Sequence, residues 1–209
     1  KFLVEKYNIA LAPGLQLLAP KPLSQVKLKV FTAALSEARQ GFPALPGVTQ
    51  EVQQIAAQMP GSGLLNQEFV SGRLHDRIKA LSYPIVHLAT HGQFSSNAAD
   101  TFIVTWDEKV NVKEFDRLLR VRTGENQQPI ELLVLSACET ASGDSRAALG
   151  LAGAAIRSGA RSTAATLWQV NDESTAIFMT EFYRQLAAKS TKAEALRNAQ
   201  LTLLRNRDY

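Results

Sequence analysis

Two short runs of apolar residues in the middle of the chain each stop at a polar residue with reactive chemistry. The first run begins at Ile85 and stops at His91, and the second begins at Leu132 and stops at Cys138. Short apolar runs that are followed at once by small and polar residues are typical of buried strands. Neighbouring strands of a parallel sheet end side by side, so we expect the imidazole and the thiol to be adjacent.

The rest of the chain alternates between predicted strands and predicted helices. Apolar residues at every second position predict a half-buried strand over 26–31, and apolar residues three or four positions apart predict helices. Further strands are predicted over 63–65, 102–106, 109–112 and 163–167, and helices over 48–59, 74–81, 147–156, 174–186 and 191–204. The segments 102–106 and 109–112 are expected to form a hairpin. This alternation predicts an α/β fold with a mostly parallel sheet and helices on both of its faces.

The start of the chain has a different character from the remainder. Prolines at positions 13, 20 and 22 favour extended backbone over helix. We therefore expect an N-terminal extended segment over 1–25 that leads into a single domain over 26–209. Because the first residue is Lys1 and not Met, we expect this domain to have been taken from a longer protein.

Composition and charge narrow the classes of function. The chain has 209 residues, 45% hydrophobic and 20% charged, as ordinary globular proteins have. The net charge is +4, but the basic residues are scattered, which argues against a nucleic-acid partner. A single cysteine excludes an internal disulfide. No apolar stretch approaches the roughly 20 residues that span a membrane. We therefore expect a cytoplasmic protein with neither a membrane nor a nucleic acid as partner.

Cys138 and His91 are the two catalytic residues that a cysteine hydrolase requires. His91 would remove the thiol proton or stabilise the thiolate, and would later protonate the leaving amine. The backbone N–H groups of Gly92 and Cys138 would hold the oxyanion. The sequence requires no third residue, so we expect a dyad without a cofactor. The alternative is that Cys138 is a small buried hydrophobe and His91 a hydrogen-bonded histidine at the rim of the sheet.

A second histidine, His87, stands four residues before His91. On a helix this spacing would suit a pair of metal ligands. The flanking residues predict a strand, and no glutamate follows the first histidine. We therefore expect a structural role for His87 under the sheet, and no metal site.

Three motifs follow one another in the chain: HLATHG at 87–92, LSACET at 135–140 and TLWQVNDEST at 166–175. In these motifs, and over nearly its whole length, the chain resembles the CHAT domain, a caspase-like family of cysteine peptidases related to separase. The resemblance implies a caspase-like three-layer sandwich, with His91 and Cys138 as the dyad on adjacent strands. It also implies a protein or peptide substrate and a regulatory helical-repeat region, often of tetratricopeptide type, on the N-terminal side of the domain in the same polypeptide. Compared with the family, the chain ends before the last strand of the sheet, so we expect a C-terminally truncated domain.

The resemblance also suggests a specificity residue. In separase-like relatives an acidic residue after the conserved tryptophan faces an arginine of the substrate, and Asp172 stands at the comparable place. We therefore expect cleavage after Arg or Lys, with Asp144 as a second candidate for the substrate-binding carboxylate. The alternative is that Asp172 and Ser174 only begin the next helix.

Two other classes of function stay open from the sequence. One is a catalytically silent caspase-like module that signals by binding. The other is a small-molecule thiol hydrolase on a doubly wound sheet, for which the chain carries no recognisable substrate or cofactor signature. Reactivity of Cys138 toward iodoacetamide would separate a catalytic thiol from a buried, inert one.

Overall fold

The computed structural model describes residues 2–10, 23, 27–80, 83–93, 100–111, 113–115, 117, 130–137, 160–166 and 170–206. The strands within these residues are β1 (Val30–Ala34), β2 (Gly61–Leu65), β3 (Ile85–Thr90), β4 (Gly92–Gln93), β5 (Phe102–Val104), β6 (Lys109–Asn111), β7 (Leu132–Ala137) and β8 (Thr163–Ala165). The α-helices are α1 (Pro46–Gln58), α2 (Ser71–Ala80), α3 (Asp172–Ala187) and α4 (Lys192–Arg205). The helix predicted over 147–156 lies outside the described residues.

Five parallel strands form the central sheet, in the order β2-β1-β3-β7-β8. The strand that leads to His91 is the middle one, and all six of its residues are buried. Residues in such a strand are covered on both faces, which explains why its sequence is almost continuously apolar. The predicted α/β class with a mostly parallel sheet is confirmed.

A hydrophobic core lies on each face of this sheet. On one face α2 and the β5–β6 pair cover the strands, with Leu74, Ile78 and Ile103 fully buried. On the other face α1, α3 and α4 pack against the sheet, with Ile55 and Phe182 fully buried. The result is the three-layer arrangement that the resemblance implies. A third, small cluster buries residues near the ends of β1 and β3 and includes Ala34, Val48 and Ala89.

The first strand lies further along the chain than its alternating pattern predicts. The prediction was a half-buried strand over 26–31, whereas β1 begins at Val30, ends at Ala34 and is partly exposed only at Thr32. β1 pairs with β2 on one side and with β3 on the other. An interior strand with helices on both faces has no solvent side, so polar residues cannot alternate along it.

A second, antiparallel sheet contains β4, β5 and β6. The hairpin predicted over 102–112 is confirmed, with Ile103 paired with Val110. The sequence did not predict β4, which has only two residues and pairs with β5. The main chain therefore passes from one sheet to the other at His91, directly between β3 and β4.

The helices begin where local signals place them. Pro46 occupies the first turn of α1, where its missing N–H costs no hydrogen bond. Asn171 caps α3, and Thr191 caps α4 in a capping box with Glu194. In the part of the chain that the structure describes, no helix combines the length and the apolar character needed to cross a membrane.

The N-terminal residues lie against α4. Leu3–Glu5 form a 3₁₀ turn, which departs from the extended conformation expected there. The guanidinium of Arg197 donates hydrogen bonds to the carbonyl oxygens of Val4 at 2.7 Å and of Glu5 at 2.6 Å. Several N–H donors in a fixed fork allow one arginine to satisfy both carbonyls, so the turn is fixed by a contact that local sequence does not encode.

We expect Thr191→Ala to lower the free energy of unfolding by about 1 kcal/mol, because a helix N-cap is lost. The Thr191 backbone N–H and hydroxyl lower the pKa of Glu194 from its ordinary value of 4.5. The carboxylate therefore stabilises the fold above pH 4.5, and this contribution disappears as the pH falls through the lower folded-state pKa. Urea unfolding of the parent and the variant at neutral and at acid pH measures both effects.

Thr202→Ala is the matched control for this measurement. Thr202 is exposed on the same helix, and its hydroxyl only donates back to the Asn198 carbonyl at 3.0 Å. We expect a change within about 0.5 kcal/mol. A loss as large as that of the Thr191 variant would contradict the capping role.

Candidate active site

His91 occupies the junction of the two sheets and is almost completely enclosed. Only 4% of its surface is exposed, although it lies just past the end of β3. Its carbonyl oxygen accepts a hydrogen bond of 2.8 Å from the N–H of Val104 in β5. The central sheet therefore directs the residue to the rim, and the second sheet holds its main chain there.

The imidazole of His91 is held at one nitrogen and on one face. Nε2 lies 2.8 Å from the carbonyl oxygen of Pro43. Because a carbonyl oxygen only accepts, Nε2 carries the proton of the neutral ring and Nδ1 is its basic nitrogen. The ring of Phe42 stacks on the imidazole, with centroids 4.9 Å apart and an angle of 26° between the planes. The histidine is thus prepared to accept a proton at Nδ1.

A tight turn in the loop between β1 and α1 presents Phe42 and Pro43 to His91. Gln40 and Gly41 both have positive φ, 51° and 84°. Arg39 and Phe42 on either side of them exchange two backbone hydrogen bonds. Glycine adopts this left-handed conformation without steric cost, which favours it at position 41. Pro43 and Pro46 predict a loop here, but no pattern in the sequence assigns Phe42 or Pro43 to a functional site.

Two cations hold this loop against the β5–β6 hairpin. Nζ of Lys109 lies 4.9 Å from the ring centroid of Phe42 and 4.9 Å from that of Phe102. The guanidinium of Arg39 lies 3.5 Å from the ring centroid of Trp106. Such contacts are worth about 0.5–1 kcal/mol each at partly exposed sites. They connect the loop to the sheet that also fixes the main chain of His91.

The strand that leads to Cys138 is the direct neighbour of the strand that leads to His91. β3 and β7 are parallel and paired over six residues, ending with Thr90 opposite Ala137. This confirms the predicted adjacency of the two strands. Cys138 is the next residue of the sequence and lies outside the described residues.

The backbone N–H of Gly92 points away from β5, the neighbouring strand of the second sheet. Gly92 pairs with Ile103, while the flanking hydrogen bond runs from the N–H of Val104 to the carbonyl of His91. This pattern makes Gly92 and Ile103 a non-hydrogen-bonded pair of the antiparallel ladder, in which neither residue uses its N–H toward the other. β5 therefore does not engage the N–H of Gly92. A donor to an oxyanion must meet this condition.

His87 belongs to a buried polar group on the helix-covered face of the sheet. Its Nδ1 lies 3.0 Å from the hydroxyl oxygen of Tyr183, and its Nε2 lies 3.0 Å from Oε1 of Glu51. The second contact is close in distance but poorly aligned, so neither Nε2 nor Oε1 has a hydrogen-bond partner among the described residues. Burial, with the Glu51 carboxylate adding to it, raises the pKa of Tyr183 well above its ordinary value. His87 therefore connects α1, β3 and α3, in agreement with the structural role expected for it.

Asp172 lies in the first turn of α3 and reaches the first turn of α1. Its Oδ2 accepts a hydrogen bond of 2.5 Å from the N–H of Gly47. The first N–H groups of a helix have no partner within that helix, so this carboxylate satisfies one of them and interacts with the positive end of the helix dipole. Asp172 is thereby tied to the helix that follows Pro43 by a few residues. The second candidate, Asp144, lies outside the described residues.

We expect Gly47→Ala to lower the free energy of unfolding by about 1–3 kcal/mol, because the new methyl group is overpacked. A Cβ at this position would lie 2.8 Å from Oδ2 and 2.9 Å from the backbone oxygen of Asp172. Thermal or urea unfolding measures the change. Gly72 is the matched control, since it is also the second residue of its helix and has no atom within 4 Å of an added Cβ. Gly72→Ala should be neutral or slightly stabilising, and equal losses for both variants would contradict the close contact between α1 and α3.

A comparison with protein families gives a match for this chain. The CHAT domain matches residues 1–209, which is the whole chain. A search of curated proteins finds no match. Members of the CHAT family are related to the caspase-like cysteine peptidases. The chain belongs to the CHAT domain family.

Proposed function

We propose that this domain is a cysteine endopeptidase in which Cys138 is the nucleophile and His91 the general acid and base. The observation that carries the proposal is the pairing of Thr90 with Ala137 at the ends of β3 and β7. His91 directly follows Thr90 in the sequence, and Cys138 directly follows Ala137. Consecutive Cα atoms are about 3.8 Å apart, so both residues are tethered one step beyond a shared end of the sheet.

The state of His91 supports the role of a base. The Pro43 carbonyl, 2.8 Å from Nε2, keeps the proton on that nitrogen and leaves Nδ1 to accept one. Transfer of the thiol proton of Cys138 to Nδ1 produces a thiolate and an imidazolium. The Pro43 carbonyl then stabilises the imidazolium, because it accepts from an N–H that has become more positive. A backbone carbonyl therefore takes the orienting part that a side chain plays in a catalytic triad.

The reaction follows from these groups. The thiolate attacks the carbonyl carbon of the scissile peptide, and the oxygen becomes an oxyanion. The N–H groups of Gly92 and Cys138 donate to it, each contributing roughly 3 kcal/mol by comparison with other oxyanion holes. Nδ1–H gives its proton to the leaving amine as the C–N bond breaks, which leaves a thioester. Water, deprotonated by Nδ1, hydrolyses the thioester and restores the thiol.

We also propose that the residue before the scissile bond is Arg or Lys and that Asp172 recognises it. The carboxylate is half-buried and belongs to the helix junction beside the loop that carries Pro43. Oδ2 already accepts from Gly47, so a guanidinium would bind mainly through Oδ1, in charge-assisted hydrogen bonding. Asp144 is the alternative carboxylate for the same role.

The substrate would be a protein or peptide. Regulation would come from a helical-repeat region on the N-terminal side of the domain in the same polypeptide. Comparing peptide cleavage by the domain with cleavage by a polypeptide that includes such a region tests this part of the proposal. Equal rates and equal substrate preference would contradict a regulatory role.

We expect cleavage of a fluorogenic peptide by the parent chain and a loss of at least about 10³-fold in Cys138→Ala and in His91→Ala. A set of such peptides should carry basic, acidic or apolar residues directly before the scissile bond. Cys138→Ser is the conservative control, because it keeps the shape but replaces the more nucleophilic thiolate. Absence of cleavage, together with a slow reaction of Cys138 with iodoacetamide, would contradict the proposal and favour a binding module.

Asp172→Asn separates the two roles of this carboxylate. The amide oxygen of asparagine can still accept from Gly47 N–H, but the negative charge is lost. We therefore expect near-parental stability and a loss of about 10–100-fold in kcat/KM for Arg and Lys peptides, the size of a charge-assisted hydrogen bond. Asp172→Ala, which loses both roles, should also unfold more easily. Parental rates in the Asn variant would assign Asp172 to the helix junction alone.

A further inference from the structure

We propose that Phe42 is a positioning residue for His91, a role that rests on the proposed function of His91 as acid and base. The Phe42 ring lies against the imidazole face at a centroid distance of 4.9 Å and an angle of 26°. Phe42 is half-buried and packs against the core on the face of the sheet that α2 covers.

The stacking supplies a restraint that the hydrogen bond to Pro43 does not. The hydrogen bond holds Nε2 2.8 Å from the carbonyl oxygen, but a carbonyl accepts over a broad range of angles, so it opposes rotation of the ring about the Cβ–Cγ bond only weakly. Such rotation would weaken the contact of Nε2 with Pro43 and carry Nδ1 away from its target. A flat ring against the imidazole face opposes this motion. Proton transfer needs heavy atoms within about 2.6–3.2 Å, so the orientation of the plane matters directly.

Phe42 is itself held firmly enough to act as such a surface. The turn at Gln40 and Gly41 fixes its backbone through two hydrogen bonds with Arg39. The Phe102 ring packs against it at a centroid distance of 6.0 Å and an angle of 58°. Nζ of Lys109 lies over both rings, 4.9 Å from each centroid. The ring is therefore enclosed between the β5–β6 hairpin and His91.

We expect the orientation of His91 to depend on the flat shape of the side chain at position 42 more than on its volume. Phe42→Leu fills much of the space with an apolar group but offers no flat face. Phe42→Tyr keeps the flat ring and adds only a hydroxyl group. Phe178→Leu is the matched control, because Phe178 is also a partly buried phenylalanine that stacks on a neighbour, at 6.3 Å from Phe182, on the opposite face of the sheet.

Histidine-selective ¹⁵N and ¹³C NMR of the full chain tests the proposal without relying on activity. The chain has three histidines, and the signal absent from His91→Gln identifies the imidazole in question. In the parent we expect the Nε2–H form alone at a pH where the ring is neutral. In Phe42→Leu we expect the shifts to move toward a mixture of the two tautomers, with parental shifts in Phe42→Tyr and in Phe178→Leu.

Peptide cleavage provides the second measurement. We expect kcat to fall about 10–100-fold in Phe42→Leu with KM within about twofold, because misorientation of a catalytic group slows the chemical step more than binding. Phe42→Tyr should restore at least half of the parental kcat. Unchanged His91 shifts in Phe42→Leu, or a parental kcat despite altered shifts, would overturn the positioning role. If the parent cleaves no peptide, the proposed function fails, and the NMR result alone then decides whether Phe42 orients His91.

Discussion

The parallel pairing of β3 with β7 is the constraint on which the rest of the site depends. β3 is the middle strand of the sheet, all of its residues are buried, and its register with β7 runs from Ile85 opposite Leu132 to Thr90 opposite Ala137. A shift of one residue would turn every side chain of the strand to the other face, which the two cores prevent. The register therefore determines which residues emerge together at the rim.

The position of α1 is coupled to this rim through contacts one helical turn apart. Gly47 binds the carboxylate of Asp172 in α3, and Glu51 approaches His87 of β3. Residues four apart lie on the same face of a helix, so both contacts hold the same side of α1. The loop that ends at this helix presents the Pro43 carbonyl to His91. A helix on one face of the sheet thus anchors the loop whose carbonyl contacts a histidine at the end of a strand.

The elements that the sequence predicted well are those with a sustained apolar pattern, either a continuous run or a helical spacing. The short apolar runs at β3 and β7 and the helices α3 and α4 lie within two residues of their predicted bounds. The cap of α3 is Asn171, one residue before the Asp172 at which the sequence places the start of the helix. The alternation over 26–31 predicts a half-buried strand, whereas β1 spans Val30–Ala34 and is buried on both faces. β4 was missed because two residues carry no periodicity. The order of the strands in the sheet brings the predicted strand ends together. No single segment of the sequence specifies this order.

Local pattern by itself determined the fold class, the strands that end at His91 and before Cys138, and the family to which the motifs belong. Only the tertiary structure decided how His91 is oriented and what Asp172 touches. The first depends on a carbonyl 48 residues away and the second on an amide 125 residues away. Both partners are backbone groups, which every residue other than proline possesses in full, so no side-chain type in the sequence marks them. Their roles arise only when packing brings distant segments to within hydrogen-bond distance.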